Sequence, residues 1–229
     1  MDSDMRWVSW RRRELLAFLL AAVYAAAAPA AAPPVILVLG DSLSAEYGLK
    51  RGSGWVALLE DRLARERIPA RVINASISGD TTSGGRARLP ALLSQHKPTH
   101  VIIELGANDA LRGLPLAGTE DNLAQMTQAA QKAGARVLLV GMQVPPNYGS
   151  DYTKKFAALF AQVAARFHAG LVPFLLAGVA DAPDARTLFQ SDGIHPRAEA
   201  HPRILDNVWP ELKKQLPDAA RQRQPGSAS

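Results

Sequence analysis

Along residues 35–216, short runs of aliphatic and β-branched residues alternate with longer stretches whose apolar positions recur every three or four residues. The short runs fall at 35–39, 71–74, 100–105, 136–142 and 171–174. They are apolar nearly throughout, which predicts strands covered on both faces, because a strand with one wet face alternates. The longer stretches predict helices. Trp55, Leu59 and Leu63 keep a spacing of four, Leu123, Met126, Ala130 and Ala133 follow helical spacing, and Phe156, Leu159, Phe160, Val163 and Phe167 form one apolar stripe. Thr119 and Gly134 read as the caps of the second of these helices. A final helix is expected over 197–216, with Pro202 in its first turn and Pro210 kinking or splitting it. Strand–helix alternation implies right-handed crossovers and a parallel sheet between two helical layers. In such sheets ligands gather beyond the carboxyl ends of the strands.

The two ends of the chain break this pattern. Arg6, Arg11, Arg12 and Arg13 precede an apolar run over 15–28, followed by Pro29 and further alanines, the layout of a signal peptide. The 14 residues of that run fall short of the ~20 needed to span a bilayer. Cleavage is expected after Ala30, since cutting after Ala28 or Ala32 would leave a proline directly beyond the bond. An uncleaved amphipathic anchor is the other way to read the segment. The organisation expected is a signal peptide over 1–30, one folded domain over 31–216, and a disordered tail over 217–229 that has no apolar face. The destination this implies is the periplasm or the exterior, with no membrane span after cleavage.

Composition narrows the function classes. The chain has 229 residues, 48% hydrophobic and 21% charged, which suits a soluble domain better than a disordered or polytopic membrane protein. With no cysteine, disulfides, Cys-type zinc sites, iron–sulfur clusters and thiolate nucleophiles are excluded. The net charge of +5 comes from 26 basic and 21 acidic groups scattered along the chain, with no basic block beyond residue 13, so no nucleic-acid partner is expected. No His-Glu-x-x-His helix or acidic calcium loop occurs, and neither metal nor cofactor is expected. His96, His100 and His168 read as surface or capping residues, and His201 as off the face of His195.

Four polar clusters follow the predicted strands. Gly40-Asp41-Ser42-Leu43-Ser44 follows the first, and a serine there can act as a nucleophile or cap a turn. Residues 74–80 after the second end in Gly79-Asp80, where Gly79 can present a backbone N–H or simply serve a turn. Glu104-Leu105-Gly106-Ala107-Asn108-Asp109 at the end of the third brings a side-chain amide, which can also cap a helix. Asp192-Gly193-Ile194-His195-Pro196 precedes the last helix. The Gly-rich stretch 81–85 lacks the Gly-Lys-Ser/Thr of a phosphate loop and is read as a mobile loop on the substrate side.

Taken together, these clusters resemble the GDSL or SGNH hydrolases, whose blocks supply serine, glycine, asparagine and histidine in this order. The stretches 37–45, 74–80, 87–93, 104–113 and 192–196, with Pro146-Asn147-Tyr148-Gly149, are most similar to one branch, the bacterial periplasmic multifunctional acyl-CoA thioesterases, proteases and lysophospholipases. The resemblance implies a flavodoxin-like three-layer α/β/α fold with strand order 2-1-3-4-5. It makes Ser42 the nucleophile, His195 the general base and Asp192 the group orienting the imidazole, with Asp192 as a mere turn residue the alternative. The N–H groups of Ser42, Gly79 and Asn108 would form the oxyanion hole. Asp41 is expected to be structural, bonding loop amides. Leu111, Leu114, Pro115 and Tyr148 are candidates for an acyl groove, or equally for loop packing.

The activity this implies is hydrolysis of acyl thioesters and carboxylic esters by a monomeric enzyme without a cofactor. An arylesterase or carbohydrate deacetylase of the same fold, and a non-catalytic acyl-chain binding module, are the alternatives. Ala107, Glu46 and Gln143-Val144 depart from residues familiar in the branch, at positions expected to border the acyl path, so chain-length preference is the least transferable part of the resemblance.

Overall fold

The computed structural model describes residues 32–216; the expected signal peptide and the expected disordered tail lie outside them. Five parallel strands form one sheet in the order β2-β1-β3-β4-β5. They are β1 (Val35–Gly40), β2 (Arg71–Asn74), β3 (His100–Glu104), β4 (Arg136–Val140) and β5 (Gly170–Val172). The central strands β1 and β3 are almost wholly buried, as their unbroken apolar runs require, whereas the edge strand β2 is half-exposed. The last strand stops before Pro173, which has no N–H to give to a ladder, so it is shorter than the apolar run through residue 174.

Helices cover both faces. On one side lie α1 (Trp55–Arg65) and α7 (His201–Gln215); on the other, α2 (Thr82–His96), α4 (Leu116–Lys132) and α5 (Ser150–Phe167). Two short helices, α3 (Ala107–Leu111) and α6 (Ala185–Leu188), lie in the connections after β3 and β5. The core joins the sheet residues Ile36, Leu39, Ile102 and Leu139 to Trp55, Leu59, Phe156, Phe160 and Trp209 from the helices.

Several elements differ from the sequence expectation. Residues 81–85 are not a mobile loop but the start of α2, with Thr81 as its N-cap accepting from the Gly84 N–H at 3.3 Å. The glycines hide the helical pattern because there is no room for side chains: a Cβ on Gly85 would lie 2.3 Å from Leu105 Cδ1. Thr119 does not cap α4, which starts three residues earlier; it is buried, and its hydroxyl donates to Asp109 at 3.3 Å. Pro210 neither splits nor ends α7. It removes one N–H donor, but Val208, Trp209 and Leu212 remain buried around it, and this packing carries the helix through.

Of the histidines expected at the surface or as caps, His100 is instead buried. Its Nε2 lies 3.1 Å from the Gln215 carbonyl, and His201 is buried with Nδ1 accepting from the Trp55 N–H at 3.0 Å. Both act as internal links to α7, and burial holds both imidazoles below their usual pKa.

Gly141, just past β4, is pressed against the adjoining chain: a Cβ there would lie 2.3 Å from the carbonyl oxygen of Pro173. That oxygen belongs to the backbone and cannot rotate away. Gly141→Ala is therefore expected to destabilise the domain by about 1–3 kcal/mol, seen as a lower urea midpoint at unchanged slope.

Candidate active site

The turn after β1 carries Ser42. Asp41 begins this turn, its carbonyl accepting from the Ala45 N–H at 2.9 Å and its carboxylate from the Leu43 N–H at 3.0 Å. This fixes Asp41 as a loop-bonding residue, as the sequence reading expects, and leaves the Ser42 side chain partly exposed at the sheet edge.

A second structure reaches Ser42 from the far end of the chain. Phe189 and Pro196 pair as an antiparallel bridge, and the Gln190 N–H donates to the His195 carbonyl at 2.8 Å. Within this closed loop Gly193 has φ +66°, a turn conformation that glycine adopts without Cβ strain. Asp192 Oδ1 accepts from the N–H groups of Ile194 at 2.9 Å and His195 at 3.0 Å. Its other oxygen lies 2.7 Å from His195 Nδ1, and His195 Nε2 lies 2.9 Å from Ser42 Oγ. The three predicted residues thus form one continuous chain. The backbone N–H bonds, ahead of the imidazole itself, pull the Asp192 pKa down to about 2.

Gly79 and Asn108 arrive from the connections after β2 and β3. Gly79 has φ +77°, and its carbonyl accepts from Arg112 Nη2 at 2.7 Å. Among the described residues, neither the Ser42 N–H nor the Gly79 N–H has a protein acceptor. Asn108 is different. Its Nδ2 lies 2.9 Å from both Asp41 Oδ2 and the Asp80 carbonyl, so both amide hydrogens have acceptors. A third acceptor would have to share or displace one of them.

A cavity of about 840 Å³ opens beside Ser42 and His195. Leu111, Met142, Val144, Phe174, Leu176 and Phe189 supply much of its apolar wall. Of the four residues expected to form the acyl groove, Leu111 lines this cavity, while Leu114, Pro115 and Tyr148 do not. Tyr148 instead stacks on Tyr152, with ring centroids 6.2 Å apart. Ala107, Gln143 and Val144 border the cavity as expected. Glu46 does not. It has φ +59°, and its carboxylate accepts from the N–H groups of Gly52 and Gly54, tying the loop that leads into α1.

Sequence reasoning missed the layer beneath the serine. Ser44 Oγ donates to Glu104 Oε2 at 2.6 Å and accepts from Trp55 Nε1 at 3.1 Å. Glu104 is fully buried at the end of β3, and desolvation together with the neighbouring Asp41 charge pushes its pKa well above the carboxylate range. Burial also raises Asp41, to about 6. The signal was present in the sequence, since a glutamate closes an otherwise apolar strand run. Tyr47, whose ring centroid lies 4.3 Å from that of His195, carried no motif and was not legible beforehand.

The GDSL-like lipase/acylhydrolase family model matches residues 38–203. Esterase TesA of Pseudomonas aeruginosa is 54% identical over 181 residues, covering 79% of this chain and 89% of its own length. Thioesterase 1/protease 1/lysophospholipase L1 of Escherichia coli K12 is 45% identical over 181 residues, covering 79% and 82%. Among solved structures, the psychrotrophic esterase EstA from Pseudoalteromonas sp., inhibited by monoethylphosphonate, superposes with a TM-score of 0.74 at 44% identity, covering 79% of this chain and 97% of that one. Fold, strand order and sequence agree, and the chain belongs to the GDSL-like lipase/acylhydrolase family of ester-hydrolysing serine hydrolases.

Proposed function

We propose that this chain is an exported esterase that cleaves acyl thioesters and carboxylic esters, lysophospholipids among them, through an acyl-enzyme on Ser42. The observation that carries this reading is the hydrogen-bonded series Asp192–His195–Ser42 at 2.7 and 2.9 Å, set at the mouth of an apolar cavity. A serine hydroxyl is a weak nucleophile at neutral pH, and neutral imidazole is suited to take its proton. Asp192 holds His195 with its protonated Nδ1 turned inward, so that Nε2 faces the hydroxyl, and it stabilises the imidazolium once formed. Export rests on the N-terminal layout of basic residues, apolar run and small residues. Among the described residues no helix is long and apolar enough to cross a membrane.

In the first half-reaction Nε2 accepts the Ser42 proton as Oγ attacks the acyl carbon. The carbonyl oxygen, now negative, meets the Ser42 and Gly79 N–H groups and shares or displaces one of the two acceptors of the Asn108 amide, Asp41 Oδ2 and the Asp80 carbonyl. His195 then gives its proton to the departing thiol or alcohol. In the second half-reaction water loses a proton to His195 and attacks the acyl carbon on Ser42; His195 returns that proton to Ser42 Oγ as the ester bond breaks and the fatty acid is released. The size and lining of the cavity favour a medium or long acyl chain over acetyl.

This mechanism predicts that p-nitrophenyl octanoate and palmitoyl-CoA are both hydrolysed, that octanoyl is preferred to acetyl, and that Ser42→Ala lowers turnover at least about 10³-fold. Asp192→Ala is expected to cost about 10²–10⁴-fold in kcat, whereas a loss of only a few-fold would make Asp192 a turn residue. Asp192 is ionised down to about pH 2, so its own protonation adds no step to the kcat/KM profile at neutral or mildly acidic pH. Asp41→Asn leaves one acceptor oxygen for two donors, the Leu43 N–H and Asn108 Nδ2, and is expected to lower kcat about 10²-fold, while a fluorophosphonate still labels Ser42.

A further inference from the structure

Among the described residues, the large apolar side chains left exposed are Tyr47, Ile77, Leu111, Leu114, Tyr148 and Ile194, between 37% and 52% accessible. Tyr47 follows β1, Ile77 follows β2, Leu111 and Leu114 follow β3, Tyr148 follows β4, and Ile194 lies between β5 and α7. Every connection at the carboxyl edge of the sheet contributes at least one. The connections at the opposite edge, 66–70, 97–99, 133–135 and 168–169, contribute none. Single exposed apolar residues are ordinary on a soluble protein, but confinement of all of them to one edge is not. Leu111 and Ile194 border the cavity; the other four stand outside its lining, so an acyl chain filling the cavity would leave them uncovered.

Charge is distributed in a matching way. The same connections carry Lys50, Arg51, Arg112, Arg186 and Arg197, none of which pairs with a carboxylate among the described residues. The carboxylates around them are largely engaged. Glu46 accepts from loop amides, Asp80 pairs with Arg88, Asp181 accepts from the Gly178 N–H and Asp192 holds His195, while Asp41 and Asp109 are buried. Asp184 and Glu199 are left without such partners; of the five cations, Arg112 and Arg197 donate to the Gly79 and Phe189 carbonyls, which leaves Lys50, Arg51 and Arg186 without one among the described residues.

We propose that this edge docks on the surface of phospholipid aggregates, its apolar side chains entering the headgroup boundary and its cations facing lipid phosphate, so that the cavity opens directly onto lipid. The proposal rests on the esterase reading above and names where that enzyme meets its substrate. The apolar residues are spread over all five connections at the edge where the cavity opens. A fluid surface can receive such separate points, whereas a protein interface needs a close-packed centre. Interfacial binding strengthens with the apolar area inserted, which this edge offers, and Lys50, Arg51 and Arg186 stand where they can meet individual lipid phosphates.

Hydrogen exchange of the full-length Ser42→Ala protein, with and without vesicles of phosphatidylcholine and phosphatidylglycerol, tests the proposal. Vesicles are expected to slow exchange about fivefold or more in 75–79 and 111–113 and to leave 66–70 and 97–99 unchanged. Ile77→Ser and, separately, Leu114→Ser should each reduce that slowing at least about threefold. In the otherwise native enzyme, Ile77→Ser should keep p-nitrophenyl acetate hydrolysis within about twofold, since that substrate is soluble and monomeric. Vesicle attachment that leaves these loops unprotected would mean tethering by the N-terminal segment and would overturn the proposal. So would protection of the same loops without lipid in a protein that light scattering shows to be dimeric, because a second copy would then cover the face. A native enzyme that hydrolyses the soluble ester but shows no vesicle protection fails the docking proposal alone. One that hydrolyses no acyl ester fails the esterase reading itself.

Discussion

The hydrogen bond between Ser42 and His195 joins residues 153 positions apart, and nothing local holds either partner in range of the other. Its 2.9 Å length depends on the placement of both partners. Ser42 is placed by β1, an inner strand, whose neighbours on both sides fix its height and direction. His195 is placed by a loop that closes on itself through the Phe189–Pro196 bridge and the Gln190–His195 backbone bond. Gln190 also ties this loop to the β1 connection, donating through Nε2 to the Tyr47 carbonyl at 2.9 Å. An error of 1 Å in either placement would break the proton path, which is why so much of the polar bonding gathers at this edge.

Beneath the serine, the structure retains an arrangement that is costly for stability. Asp41 and Glu104 are both buried and their carboxyls face the same small volume, so two full charges there would repel in a poorly solvated site. Burial raises both pKa values, and the sign follows directly: each group binds its proton more tightly folded than unfolded. Their combined contribution to stability therefore falls as pH rises from the ordinary carboxylate range through about 6. In exchange, the Asp41 carboxylate orients the Asn108 amide and Glu104 anchors Ser44 and, through it, Trp55. A sheet edge made only of apolar residues would be more stable but would have no means of aiming those donors.

The same edge gathers the exposed apolar residues, the unpaired cations, the cavity and the hydrogen-bonded series of Asp192, His195 and Ser42. Parallel topology accounts for this concentration. Every strand ends on the same side, so five connections that are far apart in sequence converge on one surface. The opposite edge receives only short returns from helix to strand, and these carry no large exposed apolar side chain among the described residues.

How much of this could be read from the chain alone depended on whether the signal was periodic or a matter of contact. The five strands, four of the five long helices and the four polar clusters were legible because apolar period and motif residues are local properties of sequence. The helix at 82–96 was not legible, because Gly84 and Gly85 sit where Asp80 and Leu105 leave no room for a Cβ, a fact about packing that reads in sequence as a loop. Pro210 posed the opposite problem: the local rule predicts a break, and burial of the residues around it overrides the rule. For the site, the sequence by itself supplied the residue types and their order, with Ser42 at a strand end and Asp192 and His195 ahead of the last helix. Only the tertiary structure decided that they meet, that both hydrogens of Asn108 already have acceptors, and that Leu111 lines the cavity while Leu114, Pro115 and Tyr148 do not. Those are distances between segments remote along the chain, and such distances are set by how helices and sheet pack, not by any property of a single segment.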